Sequence, residues 1–121
     1  MRSAPLWLSA LVLALTPALA CTDARERPCR IAVKSLGVAP DGKAAGELAK
    51  VVAFGHYALP DIEQEFHAST LKGRLRYLDA LRRIRSPDSV AFLETVARWD
   101  PDDAVRRDAA NLAGSLRQTP R

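Results

Sequence analysis

Ser86-Pro87-Asp88-Ser89-Val90-Ala91-Phe92-Leu93, then Trp99-Asp100-Pro101-Asp102-Asp103-Ala104-Val105-Arg106-Arg107-Asp108-Ala109-Ala110-Asn111-Leu112-Ala113, is the stretch whose reading decides the fold. Ser86 suits a helix N-cap, Pro87 suits the first helical position, and Asp88 suits the positive end of a helix dipole. Asp100-Pro101-Asp102-Asp103 repeats the order of cap, proline and acids. Behind the first start, Val90, Leu93, Val96 and Ala97 recur at helical spacing, flanked by Phe92. Behind the second, a helix over about 102–117 places Val105, Ala109, Leu112 and Leu116 on one narrow stripe. Asp103, Arg107, Asp108, Asn111 and Ser115 stand opposite it. Two successive helices with a tight polar turn are predicted, with Leu112 buried against the first.

Upstream, the same rules place more helices. Over about 71–85, Leu71, Leu75, Leu78, Leu81 and Ile84 recur at steps of three and four, and Tyr77 and Ala80 widen the apolar arc. Ser69 or Thr70 can cap that helix. Leu59, Ile62 and Phe66 mark a short helix within 58–67, with Pro60 in its first turn. A helix over about 43–54 carries Leu48, Val51 and Val52 and ends at Gly55, a residue suited to the position past a helix end. Ile31 to Leu36 is a short apolar piece stopped by Gly37, and Pro40-Asp41-Gly42 is a turn. Residues 21–30 are polar without a period and are expected to form a flexible tether, and residues 118–121 a tail.

Segments 59–84 and 90–116 match each other at an offset of 31 to 32 residues, a period in the range of helical solenoids. The Asp-Pro turn, Val105-Arg106-Arg107, the small alanines and the apolar helix end within 86–116 resemble a HEAT-like repeat of the phycobilin-lyase type. The mark is degraded in 55–84, where Thr70-Leu71-Lys72-Gly73-Arg74 replaces the Asp-Pro turn, and barely traceable in 31–54. The resemblance implies an all-α fold over 31–117, a short right-handed α-solenoid of HEAT-like helical hairpins. Relatives of this type act in the cytoplasm on pigment proteins; an exported chain does not fit that role.

Export is what the first twenty residues indicate. Arg2 supplies a positive start, Leu6 to Leu15 is an uncharged apolar run, Pro17 breaks it, and Ala18-Leu19-Ala20 sets small residues two apart. That is the order of a bacterial secretory signal peptide, and the apolar run is short of the ~20 residues a membrane span needs. Cys21 follows the cleavage point. Ala18-Leu19-Ala20-Cys21 resembles a lipobox with its usual leucine and small residue exchanged, so Cys21 is a candidate for lipidation. The alternative is a disulfide with Cys29, the one other cysteine, in an oxidising compartment. The expected location is the periplasm or, with Thr22 after Cys21, the outer membrane.

Removing residues 1–20 leaves 101 of the 121 residues, one domain's length. Without Arg2, seventeen cations stand against fourteen acids, a net charge of +3. So mild a balance gives no reason to expect a nucleic-acid partner, and a membrane is expected only through the lipid anchor. There is no Gly-x-Ser-x-Gly turn, phosphate loop or paired Cys/His. No cofactor is called for. The leading expectation is therefore a non-enzymatic protein-interaction module. Lys72, Arg76 and Arg83, on one stripe of helix 71–85, form its candidate strip for an acidic partner, and a homo-oligomer is compatible. The rival is a metal- or ligand-binding protein using His56, Glu63 and His67, with Asp61 in the same cluster of ligand types, although His-Glu-x-x-His spacing is lacking.

Overall fold

The computed structural model describes residues 26–118, and among them every regular element is helical. Six α-helices follow one another: α1 Glu26–Val38, α2 Asp41–Phe54, α3 Leu59–Phe66, α4 Leu71–Ile84, α5 Val90–Trp99 and α6 Asp103–Arg117. Single 3-10 turns, Gly55–Ala58 and Pro87–Ser89, lead into α3 and α5. The segment proposed for export and Cys21 lie outside the described residues.

Most helix starts follow the sequence; Asp41 and Gly42, expected in a turn, already belong to α2, with Pro40 at its N-cap position, and two further corrections stand. First, the tether expected to run to Arg30 does not: residues 26–30 belong to α1. Cys29 falls in register with Ala32, Val33 and Leu36, and these four residues are α1's buried stripe. Glu26 sits at the positive helix end, and Pro28 falls in the first turn, where the missing N–H costs nothing. Second, Asp100 is not the cap of α6. Asp102 is: its carboxylate accepts the Val105 N–H at 3.0 Å. Asp100, two residues earlier, accepts the Asp102 N–H at 2.9 Å and is otherwise buried against Arg74. Thr70 caps α4 by accepting the Gly73 N–H, and Ser86 accepts from Asp88.

Gly55 ends α2 with a positive φ of 61°, a conformation that favours glycine. Gly37 is required for a different reason. A Cβ there would lie 2.4 Å from the Tyr77 Oη, whose hydroxyl donates to the Val33 carbonyl at 2.8 Å. Tyr77 on α4 is thereby fixed against α1.

Consecutive helices pack in pairs, α1 with α2, α3 with α4 and α5 with α6. Between pairs, α1 meets α3 and α4, while α4 also meets α2 and α6. One core runs through the contacts, with Leu36, Ile62, Phe66, Tyr77, Leu78, Leu81, Leu93 and Leu116 among its fully buried side chains. The Phe66 and Phe92 rings meet edge to face at 5.3 Å and tie α3 to α5. Leu112 is buried, as its stripe predicts.

Three arginines, two on α4 and one on α6, reach to carbonyls at turns. Arg76 donates to the Leu36 and Ala39 carbonyls at 3.1 and 2.7 Å, Arg74 to Ser69 at 2.8 Å, and Arg106 to Asp100 at 2.5 Å. The last carbonyls of a helix lack intrahelical partners and sit at its negative end, so a guanidinium there satisfies both needs.

Candidate interaction face on α4

α4 is the middle of the molecule, and its sides are used differently. Gly73, Tyr77, Leu78, Ala80 and Leu81 are buried. Gly73 allows the closest approach: a Cβ would stand 3.1 Å from the Gly37 carbonyl and 3.0 Å from Ser69 Cβ. Leu71 and Leu75, expected in the core, are instead 44% and 41% exposed. They lie one turn apart on the stripe that continues through Leu78 to Arg82. α6 reaches the end of that stripe where Arg82 meets Asp108 at 2.5 Å, and Leu71 and Leu75 lie at the other end. With Lys72, Arg76 and Asp79 they line a shallow, mainly apolar depression.

The three cations of the expected strip have different surroundings. Lys72 Nζ is 3.0 Å from Asp41 Oδ1, and Arg76 reaches the same oxygen at 2.9 Å. Lys72, hydrogen-bonded to it, and Arg76 hold the Asp41 carboxyl below its ordinary range. Arg76 is only 12% exposed in its side chain and clamps the end of α1, so it is part of the fold. Arg83 remains exposed and lies 3.9 Å from Asp79, which pairs more closely with Arg82 at 3.2 Å. Beside these cations α4 exposes an apolar pair, bordered by charges of both signs. Asp41 was the residue missed; it lies 31 positions before Lys72, and no local pattern links the two.

The residues of the metal-binding alternative are not brought together. His56 sits in the Gly55–Ala58 turn and stacks on Tyr57, with ring centres 4.4 Å apart. His67 follows α3 and meets the edges of Phe66 and Phe92. Glu63 is exposed on α3, and Asp61 is turned to Arg30 at 3.6 Å. Among the described residues no cluster of three or more histidine, cysteine or acidic side chains could hold a metal ion. No described helix is long and apolar enough to cross a membrane.

Cys29, which the alternative to lipidation would pair with Cys21, is buried near the start of α1 and donates to the Tyr57 carbonyl at 3.7 Å. Burial, reinforced by Asp61, pushes its thiol up to about 11. A thiol so poorly ionised is a weak nucleophile at neutral pH. Arg30, Tyr57, Pro60 and Asp61 surround it in a cleft of about 290 Å³.

No protein-family model, curated protein or solved structure matches the chain.

Proposed function

We propose that this chain is a non-enzymatic protein-interaction module of the bacterial cell envelope, exported by its first twenty residues and built as a short HEAT-like α-solenoid. The pairing of successive helices supports the solenoid reading. So does the contact of α4 with α2 and with α6, since second helices of neighbouring hairpins stack in such arrays. The export reading is supported by the charged start, apolar run and Ala18-Leu19-Ala20 end of the leader, and the anchor by the position of Cys21.

The observation that carries the binding reading is the exposed pair Leu71 and Leu75 on the central helix, bordered by Lys72, Asp79 and Arg83. An apolar centre ringed by charged groups is the anatomy of a protein interface: burial of the centre supplies affinity and the rim supplies orientation. The partner is a protein that offers an apolar residue to this pair and an acidic group to Arg83. Affinity capture from envelope extracts tests it. A protein held by the native chain and lost with Leu71→Asp plus Leu75→Asp, both chains remaining folded, supports the reading. A capture profile unchanged by that double substitution refutes it.

A further inference from the structure

The first hairpin has one side packed and one side open. α1 turns Arg30 and Lys34 towards α3, where they meet Asp61 at 3.6 Å and Glu65 at 3.9 Å. Pro28, Ile31 and Ser35 point the other way, and with Ala53 and Phe54 of α2 they line a trough of about 540 Å³. Ile31 is 60% exposed on its floor, and Glu47 and Lys50, paired at 3.2 Å, lie along its α2 wall. The last hairpin differs. The shallow trough between α5 and α6 is lined by Ala97, Ala110 and Ala113 and is bridged by Arg117 to Glu94 at 2.8 Å. The trough between α5 and α6 thus carries small residues and an ion pair, with Trp99 exposed elsewhere on α5, while the trough on the first hairpin exposes isoleucine and part of a phenylalanine.

We infer that the open side of the α1–α2 hairpin is a docking site for a second copy of this chain, joined about a two-fold axis. An apolar floor of this kind is stabilised by apolar cover. The charges along it select what that cover is. Glu47 and Lys50 stand one helical turn apart with opposite signs, so a two-fold axis across the trough sets Glu47 of each copy against Lys50 of the other. The surface is then complementary to itself in both apolar floor and charge, which is the requirement for a closed, isologous pair. A uniformly acidic or basic partner, or an anionic lipid surface, would oppose one of the two charges with a like charge. The site is separate from the α4 face, so both can be occupied together.

Sedimentation equilibrium of the full chain over a range of concentrations is the test, with circular dichroism to check folding. The expected result is a monomer–dimer equilibrium that Ile31→Glu weakens about tenfold or more, because a carboxylate then faces its own copy across an apolar floor. Glu47→Lys alone and Lys50→Glu alone each set like charges opposite one another and weaken the dimer. The double exchange restores it, since the two signs have only traded places. Should Ile31→Glu fail to fold, the charge exchanges, made at wall residues, carry the test. A chain that stays monomeric throughout, a dimer indifferent to Ile31→Glu, or a double exchange as weak as the single ones would each overturn the inference. So would a monomer that binds anionic vesicles through Ile31, which would make lipid the cover.

Discussion

Arg76 and Lys72 share one carboxylate, yet they do different work. Arg76 also holds two carbonyls at the end of α1 and is largely buried, whereas Lys72 is exposed. Arg76→Ala is expected to cost about 1.5–3 kcal/mol, the range for a hydrogen bond to a charged group, and Lys72→Ala no more than ~0.5 kcal/mol. Urea unfolding of the two variants checks this, and equal losses would contradict the clamp. Cys29 provides a pH test. Its thiol pKa is raised in the folded chain from 9.0 to about 11, so the neutral form is favoured by folding. That contribution is complete below pH 9 and is lost as pH rises towards 11. The stability difference between the native chain and Cys29→Ala should be constant below pH 9 and shrink above it; a difference that grows with alkali would rule out the assigned cause. Neither role could be read in advance, because both depend on which distant backbone a side chain meets.

At the level of elements, caps and stripes were legible because they are local. Thr70, Ser86 and the glycine at 55 stand where their chemistry predicts, since a cap needs only the next two or three residues. Asp100 and Asp102 show where that ends. Either acid suits a cap, and the choice depends on Arg74, which takes Asp100 into a buried pair at 3.0 Å. Asp102→Ala should therefore cost about 1 kcal/mol, the loss of a cap, and Asp100→Ala about 3–5 kcal/mol, the loss of one partner from a buried ion pair. Thermal melts that rank them the other way would restore Asp100 as the cap. Leu112→Ala should cost ~2–5 kcal/mol, for its side chain is buried in the α6 stripe. Periodicity predicted Leu112 correctly but placed Leu71 and Leu75 inside. A stripe belongs to a whole helix, whereas cover is supplied only where a neighbour reaches it.

For the molecule as a whole, the order of helices was legible and their mutual cover was not. The first pair, α1 with α2, carries almost none of the repeat's mark in its sequence, yet it packs on the second pair through Tyr77, Arg76 and the Arg30 and Lys34 ion pairs. Of the candidate face, the three cations on α4 were legible, whereas the acid from α2 that pairs with Lys72 and Arg76 was not, and Leu71 and Leu75 were assigned to the core. The proposed export rests on the first twenty residues and is tested by fractionation with mass spectrometry of the N-terminus. The expected outcome is a chain beginning at Cys21 in the periplasmic or outer-membrane fraction, with a diacylglyceryl adduct if the anchor is present. Full-length chain in the cytosol would remove the envelope from the proposal.

The arginine clamps bear on how freely such a chain can change. A carbonyl oxygen is the same whichever amino acid carries it, so the recipient of each clamp is interchangeable while the donor is not. A saturation library at Ala39, whose carbonyl takes the 2.7 Å bond from Arg76, should accept most residues, whereas a library at Arg76 should return mainly arginine. Turns held in this way can diverge in letter while keeping their shape, which suits a first hairpin that packs on α3 and α4 under a sequence that scarcely resembles theirs.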